Sequence, residues 1–343
     1  MKPDAPFACY LAKQIEIDHA WDLCERHLSA LPEPLGALAA RFLQSVADDQ
    51  GHHRGYFSTP LAPPLLYLPL WLRDGLLGKR PELATIPLAP LLAGAMLGYF
   101  HVRFQDDLLD EPERGDPALQ LLGNTCFVAL VEACRATLGL HEAFWRAFDR
   151  AFLDMSRLTL AEQYAVRSDA PYTDALFEAH AGKVAFARIP VLAVAALAGR
   201  MDLAPALEAL VGRLGVAYGL VNDVLGWPRD LRAGHRTYLL ARAGLSQDDL
   251  ARVARVEPPA ERDAAREELA TRLRERLYEG GLLRGALERA GEVHHEAREM
   301  SRTLDVLPGF DAFTDERITW LESLDSRLAA ITLQRALARG RAP

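Results

Sequence analysis

The sequence predicts an all-α protein that forms a single helical domain, and three observations support this. Apolar residues recur at spacings of three and four in long stretches, among them LLAGAMLGYFHVRFQDDLL, TCFVALVEACRATL and PALEALVGRLGVAYGLVNDVL. The alternating pattern of strands is almost absent. Half of the 343 residues are hydrophobic and a quarter are charged, which is the balance of a folded protein with a substantial core.

The predicted helices are separated by short segments rich in proline, glycine and polar residues. These breaks fall at STPLAPPLLYLP (58–69), DEPERGDP (110–117), SDAPYT (168–173), LRAGHRT (231–237), VEPPAE (256–261) and LPGFDAF (307–313). None is long enough to link two domains. From Pro258 onward charged residues dominate between thin apolar stripes, so residues 258–340 are predicted to be outer helices of one domain spanning residues 1–343.

Composition argues against several kinds of partner and location. The formal net charge is -8 and no basic patch stands out, so no nucleic-acid partner is expected. The four cysteines form no CxxC pair, which fits free thiols in the cytoplasm. The longest uncharged run, residues 83–102, contains two prolines and leads directly into Arg103, so it is predicted to be a buried central helix and no membrane span is expected.

The first candidate site is the acidic segment DDLLD, formed by Asp106, Asp107 and Asp110. Asp106 and Asp110 are four residues apart, so on a helix their carboxylates lie on one face, one turn from each other. Like charges at this spacing repel, and either basic side chains or hard cations must compensate them. Mg²⁺ takes carboxylate oxygens, keeps several waters and bridges to phosphates, which would make the pair useful. A solvated acidic helix end is the alternative interpretation.

The second candidate site is the segment NDVLGWPRD, which begins at Asn222. Asn222, Gly226 and Asp230 are spaced four residues apart, so the segment offers oxygen ligands at both ends of one helical face. A long apolar stretch precedes it, as one also precedes DDLLD. Two such helices could form opposite walls of one pocket. Taken by itself, this segment could equally be a helix that ends at Pro228.

These segments resemble the class I isoprenoid synthases, the superfamily of trans-prenyl diphosphate synthases and terpene cyclases with an all-helical fold around a central cavity. The family's DDxxD motif is matched by DDLLD, and the RG that follows it in prenyltransferases by Arg114 and Gly115. Glu162 and Gln163 partly match the family's GQ, while Lys183 and Val184 stand where Lys-Thr is usual. The elements follow family order over about residues 79–240, which the resemblance implies is the catalytic core.

The second motif lies between the two branches of this superfamily. An elongating synthase has a second DDxxD, whereas this chain has Asn222, Asp223 and Gly226. A cyclase has NDxxSxxxE, and here Gly226 replaces the serine, Arg229 supplies the usual basic residue and Asp230 replaces the glutamate. The following GHRTYLL resembles the GKxTxP segment of prenyltransferases. Lys79 and Arg80 loosely resemble the basic segment that binds the co-substrate isopentenyl diphosphate, although they lie closer to Asp106 than is usual.

The resemblance implies a mechanism in which a prenyl diphosphate is ionised with the help of Mg²⁺, expected as three ions bound together with the substrate diphosphate. It implies metal ligands at Asp106, Asp110, Asn222 and Asp230. Asp107, Lys183 and Arg229 are expected to act in catalysis, and Arg236 could also reach the diphosphate. The remaining predicted substrate-binding residues are Tyr99, Phe104, Arg114, Gln163 and Trp227.

Tyr99 is singled out because it lies seven residues before Asp106, on the same helical face and about 10 Å deeper by helical rise. At that depth its side chain could limit the length of the prenyl chain.

We therefore expect a cytoplasmic terpene synthase that cyclises or quenches the carbocation of a linear prenyl diphosphate. A chain-elongating trans-prenyl diphosphate synthase is the alternative, and it would need a second basic pocket for isopentenyl diphosphate. A non-catalytic binding subunit of the same fold is a further alternative, which Val184 and Gly226 favour and the three aspartates oppose. A homodimer is expected from the resemblance only.

Overall fold

The computed structural model describes residues 7–46, 57, 65–110 and 116–339, and within these ranges the chain contains helices and no strands. The fifteen α-helices are α1 (Ala8–Leu11), α2 (Gln14–Ser29), α3 (Leu35–Val46), α4 (Tyr67–Leu76), α5 (Ala89–Asp110), α6 (Ala118–Leu138), α7 (Glu142–Val166), α8 (Asp174–His180), α9 (Arg188–Leu197), α10 (Ala204–Ala233), α11 (Tyr238–Arg242), α12 (Gln247–Ala254), α13 (Pro259–Arg274), α14 (Leu282–Leu304) and α15 (Phe310–Arg339). The predicted all-α class is confirmed.

The helices group into two compact units, each assembled from three segments of the chain. Unit 1 comprises residues 1–153, 184–211 and 298–316, and unit 2 comprises residues 154–183, 212–297 and 317–343. The prediction that residues 1–343 form one domain stays a prediction.

Helix α5 is the central helix of unit 1. Twelve of its residues between Ala89 and Phe104 are buried, and α2, α6 and α9 pack around it. Gly94 and Gly98 allow neighbouring side chains to lie close to the α5 backbone. A Cβ atom at Gly94 would lie 2.7 Å from Ala133 Cβ, and one at Gly98 would lie 2.4 Å from Phe186 Cζ. From Ala89 onward the uncharged run therefore forms a buried helix, as predicted, whereas residues 83–88 precede this helix.

Unit 2 is held together by ion pairs and by a buried arginine. Arg213 on α10 pairs with Glu178 on α8 and with Glu296 on α14. Arg236 donates to the backbone carbonyls of Ser168, Ala170 and Leu245 at 2.7–3.1 Å, which fastens the segment after α7 to the segment around α11.

Helix α10 does not end at Pro228 but continues to Ala233. Arg229 and Asp230 therefore lie on the same helix as Asn222. By length and composition alone, three helical stretches could cross a membrane: Ala118–Leu138, Asp174–Leu197 and Met201–Ala233. The expected absence of a membrane span therefore stays a prediction.

Candidate active site

In unit 1 the three aspartates of DDLLD lie at the end of α5, just after its buried section stops at Phe104. All three are partly exposed. Arg103 pairs with Asp107, its Nε lying 3.1 Å from Oδ1 and 3.2 Å from Oδ2. Asp106 has no hydrogen-bond partner within the described part of the chain. Arg103 therefore compensates the charge of Asp107, and the predicted roles of Asp106 and Asp110 as metal ligands stay predictions. Arg114 lies outside the described residues.

The two predicted aromatic residues of α5 differ in their surroundings. Phe104 is fully buried, and its ring packs edge-on against Phe42 with centroids 4.6 Å apart. Tyr99 is only partly buried and packs edge-on against Phe57 at 5.7 Å. Tyr99 is thus the more accessible of the two, and the predicted substrate contacts of both stay predictions.

His101, one turn before Asp106, is a buried residue that the sequence did not single out. Its Nδ1 lies 3.0 Å from the Gly123 carbonyl, and its ring packs against Phe127 and Phe152 with centroids 5.2 and 5.9 Å away. Burial lowers the pKa of His101 below its ordinary value of 6.5, while the bond to Gly123 opposes the shift. A neutral imidazole therefore lies inside an aromatic cluster.

In unit 2 one of the two predicted metal ligands of the second motif is exposed, and an aspartate that was not predicted as a ligand is buried. Asn222 is exposed, whereas Asp223 and Asp230 are both buried. Asp223 precedes Asp230 by seven residues, close to two full helical turns, so these two share a face better than Asn222 and Asp230 do. Asp223 Oδ2 also accepts a hydrogen bond from the Leu239 N–H at 3.1 Å. The spacing of seven was the signal that could have identified Asp223.

The buried carboxyls of α10 are electrostatically coupled to each other. Burial raises the pKa of Asp223 to about 7, an effect that the Leu239 N–H opposes and the neighbouring Asp230 reinforces. Burial also raises the pKa of Asp230, against the opposing charge of Arg229. Burial is thus the main cause of both shifts, and perturbed carboxyls of this kind are frequent at functional sites.

Lys183 belongs to the same charged group. Its ammonium pairs with Glu162 on α7, and the charges of both residues act on Asp223 and Asp230. Gln163, the next residue on α7, is buried, and its backbone carbonyl accepts a hydrogen bond from the Arg167 side chain. The structure therefore brings Lys183 together with the second motif, as its predicted role requires, and adds Glu162 as its counter-ion.

Gly226 leaves the space that Arg229 and Asp230 fill. The Arg229 Nη2 lies 3.0 Å from Asp230 Oδ1, and a Cβ atom at Gly226 would be 3.2 Å from both side chains. A serine at this position, as in the cyclase motif, would therefore crowd the pair. Arg229 is about half exposed, whereas the Asp230 carboxylate is 7% exposed.

Two other predicted residues of this region are engaged in packing. The guanidinium of Arg236 is buried and donates to three backbone carbonyls. Trp227 is buried against Tyr278, with ring centroids 6.3 Å apart, and Arg274 lies over its indole at 5.9 Å. Both contacts are structural, and the predicted roles of these residues in substrate binding stay predictions.

No group of three or more histidine, cysteine, aspartate or glutamate side chains is arranged to hold a metal by itself within residues 7–46, 57, 65–110 and 116–339. Each unit instead offers a pair of carboxylates, Asp106 with Asp110 and Asp223 with Asp230. A cation held by such a pair would need further ligands from water or from a bound anion.

The amino-acid sequence matches no protein-family model and no curated protein, but the structure resembles solved ones. A polyprenyl synthetase from Streptomyces coelicolor A3(2) is 20% identical with a TM-score of 0.66, covering 89% of this chain and 98% of that one. A decaprenyl diphosphate synthase from Rhodobacter capsulatus is 15% identical with a TM-score of 0.61, covering 91% and 97%. A polyprenyl synthase from Caulobacter crescentus CB15, complexed with calcium and isoprenyl diphosphate, is 16% identical with a TM-score of 0.64, covering 90% and 97%.

These likenesses extend over nearly the whole of the solved chains and show the fold of the present one. It has the all-helical fold of the trans-prenyl diphosphate synthases, which is the class I isoprenoid synthase fold predicted from DDLLD and its companion motifs.

Proposed function

We propose that the chain is a chain-elongating prenyl diphosphate synthase, which joins isopentenyl diphosphate to an allylic prenyl diphosphate. The observation that carries the proposal is the combination of fold and carboxylates. Two pairs of aspartates lie on helices of this fold. The three solved structures above are named as prenyl synthases, and the structural match covers 97–98% of each of their chains. The sequence predicted a terpene synthase with a chain-elongating synthase as the alternative, and the fold comparisons favour this alternative.

The residues fit magnesium. Asp106 and Asp110 are partly exposed carboxylates one turn apart, and Asp223 and Asp230 are carboxyls whose pKa values are raised by burial. Two carboxylates per site leave coordination positions for water and phosphate oxygens, which Mg²⁺ prefers to an all-protein cage. Bound Mg²⁺ would neutralise the diphosphate as it leaves, which is the chemistry that this reaction needs. The Caulobacter structure, with calcium and isoprenyl diphosphate, supports a divalent cation of this kind.

Other residues of the chain would bind the diphosphate, shield the prenyl chain from water and limit its length. Lys183 and Arg229 are placed near the Asp223 and Asp230 carboxyls and would donate to the diphosphate, Lys183 by leaving Glu162. The apolar section of α5 before Asp106 would hold the prenyl chain away from water. Tyr99, which is partly buried in that section, would limit chain length, so Tyr99→Ala is expected to give longer products.

Elongation also needs a site for isopentenyl diphosphate, and Lys79 and Arg80 are the best candidates. Both are exposed and lie directly before the short helix Pro81–Thr85. Arg80 is 3.7 Å from Glu82, a surface pair that holds it weakly enough to bind a diphosphate instead.

A terpene cyclase is the second candidate, and one specific feature favours it. The second motif places a carboxyl at Asp230 rather than at 226, and Arg229 is paired with it, as in the spacing of the cyclase motif. Gly226 cannot supply the hydroxyl of that motif.

The two candidates are separated by incubating the purified chain with C10, C15 and C20 prenyl diphosphates, with and without isopentenyl diphosphate and Mg²⁺. Longer diphosphates that form only when isopentenyl diphosphate and Mg²⁺ are both present support elongation. Hydrocarbons or alcohols formed without isopentenyl diphosphate indicate a cyclase. Lack of any conversion, combined with binding of the diphosphates, would support a non-catalytic subunit.

The small-molecule partners in this proposal are the allylic prenyl diphosphate and isopentenyl diphosphate. We further expect a cytoplasmic homodimer with no nucleic-acid partner and no membrane-spanning segment.

A further inference from the structure

A buried tyrosine and a buried histidine of unit 2 form a hydrogen-bonded pair to which the proposed reaction gives no role. Tyr172 is 7% exposed and His180 is 4% exposed. The Tyr172 hydroxyl lies 3.0 Å from His180 Nδ1, and the two ring centroids are 5.6 Å apart. His180 is the last residue of α8, and Tyr172 lies in the segment just before that helix. We call these two residues the Tyr172–His180 pair.

The surroundings of this pair decide which ring nitrogen carries the imidazole proton. Burial raises the pKa of Tyr172 and lowers the pKa of His180, so at neutral pH the phenol keeps its proton and the imidazole is neutral. Apart from His180, the Tyr172 hydroxyl has no hydrogen-bond partner within the described part of the chain. Its proton is therefore donated to Nδ1, because a buried donor without an acceptor is costly. The proton of the neutral imidazole then lies on Nε2.

His180 and Lys183 project from the same side of the chain. They are three residues apart, across the junction of α8 and the 3₁₀-helix Ala181–Ala187, and a spacing of three is about one turn in either kind of helix. The charges of Glu162 and Lys183 act on His180, as they do on the two buried carboxyls of α10. The Tyr172–His180 pair is therefore within electrostatic reach of the second motif.

The Nε2–H of His180 has no acceptor among the residues that the structure describes. The carboxylates of this region have other partners, since Glu162 pairs with Lys183 and Asp223 accepts from the Leu239 N–H. A buried donor beside a lysine is suited to an anion, because both groups can bond to oxygens of the same anion. Diphosphate is the anion that the proposed reaction brings to Lys183.

We propose that His180 binds the substrate diphosphate by donating its Nε2–H to the same diphosphate that Lys183 contacts, and that Tyr172 is a positioning residue that holds the proton on Nε2. The imidazole thereby adds a neutral donor to a site that already contains a cationic one. This inference rests on the proposed function, because it assigns a further residue to the same diphosphate.

The test measures the binding of inorganic diphosphate to the full chain by isothermal titration calorimetry with excess Mg²⁺ and without prenyl substrate. The amide of asparagine reaches about the position of Nδ1 and stops short of Nε2, whereas the amide of glutamine reaches about the position of Nε2. His180→Asn should therefore weaken diphosphate binding by about tenfold or more, and His180→Gln by less than about threefold. Tyr172→Phe should weaken it by about threefold, because Nδ1 loses the bond that orients the ring.

Stability should rank the two His180 variants in the opposite order. Asparagine can still accept a hydrogen bond from the Tyr172 hydroxyl, whereas glutamine leaves that buried hydroxyl unpaired, so His180→Gln should have the lower melting temperature in circular dichroism. A histidine with a purely structural role would give the same ranking in both measurements. Nitrogen-15 NMR of histidine-labelled protein reports the tautomer, and the signal lost in His180→Asn should be that of a neutral ring protonated at Nε2.

His295→Asn is the matched control, because His295 is an exposed histidine of the same unit, and this variant should bind diphosphate like the unchanged protein. Equal losses of affinity in both His180 variants, no loss in His180→Asn or in Tyr172→Phe, or a ring protonated at Nδ1 overturns the proposal. If the unchanged protein does not bind diphosphate with Mg²⁺, this proposal and the proposed function fail together. If diphosphate binds with the expected ranking but no prenyl diphosphate is converted, only the proposed reaction fails and the role of His180 stands.

Discussion

At the scale of single residues, burial makes the ionised forms of the two α10 carboxyls energetically unfavourable when no cation is bound. Asp223 and Asp230 lie two turns apart, and burial raises the pKa values of both. Because they also repel each other, a divalent cation near these carboxyls would favour their ionised forms.

The first prediction separates Asp223 from its neighbour Asn222. Asp223→Asn keeps an oxygen for the Leu239 N–H but removes the charge, and kcat/KM for the prenyl diphosphate should fall by about a hundredfold or more. Asn222→Ala is the matched control, and it should change kcat/KM by less than about threefold because Asn222 is exposed. If Asn222→Ala lowered kcat/KM more than Asp223→Asn, Asn222 would be the metal ligand, as the sequence predicted. Steady-state kinetics at several Mg²⁺ concentrations provides the measurement.

The second prediction concerns His101 and acid. Its folded pKa is lowered, so below about pH 6.5 the unfolded chain binds more protons than the folded one, and stability falls as the pH falls. His101→Gln removes this titration and can still donate to the Gly123 carbonyl. Between about pH 7.5 and pH 5.5, the variant should lose less stability in urea than the unchanged protein, by on the order of 1 kcal/mol. Equal losses would show that His101 does not titrate in this range.

At the scale of helices, the apolar packing could be predicted better than the polar contacts. The three-and-four spacing predicted long helices, and the uncharged run before Arg103 is indeed the buried part of α5. Periodicity could not show that α10 continues through Pro228, because a proline inside an apolar pattern usually marks a helix end. For the same reason, the engagement of Arg236 with three carbonyls from two loops was not predictable.

The candidate site shows the same division. DDLLD and the second motif were found because each is local in sequence, but the choice between Asn222 and Asp223 depends on which side of α10 is covered. The sequence indicated Glu162 only as a partial match to the GQ motif. Its ion pair with Lys183 could not be predicted, because the two residues lie on different helices.

The third prediction tests the close packing around α5. Gly98→Ala would place Cβ 2.4 Å from Phe186 Cζ and 2.8 Å from Leu130 Cδ2, so both side chains must move. We expect a loss of about 1–3 kcal/mol in the free energy of unfolding. Gly291→Ala on α14 is the control, since nothing lies within 4 Å of its added Cβ, and it should stabilise by about 0.5–1 kcal/mol. Urea denaturation measures both, and a neutral Gly98→Ala would contradict the packing argument.

At the scale of the whole molecule, the proposed reaction requires Mg²⁺ and diphosphate to bind together. No group of three or more histidine, cysteine, aspartate or glutamate side chains in the described residues could hold a metal alone. Mg²⁺ by itself would therefore have few protein ligands, and diphosphate by itself would meet the negative charge of the aspartates. Each should bind weakly alone and strongly with the other, because the phosphate oxygens complete the coordination of the cation.

The fourth prediction follows as a thermal shift. Mg²⁺ alone and inorganic diphosphate with EDTA should each raise the melting temperature by no more than about 1 °C. Together they should raise it by several degrees, since about a hundredfold excess over the dissociation constant stabilises by roughly 2.7 kcal/mol. Asp106→Asn should abolish this joint shift, whereas Asn222→Ala should keep it. A full shift with Mg²⁺ alone would mean that the protein provides a complete metal site, and a full shift with diphosphate in EDTA would mean that arginine and lysine bind the anion without any cation.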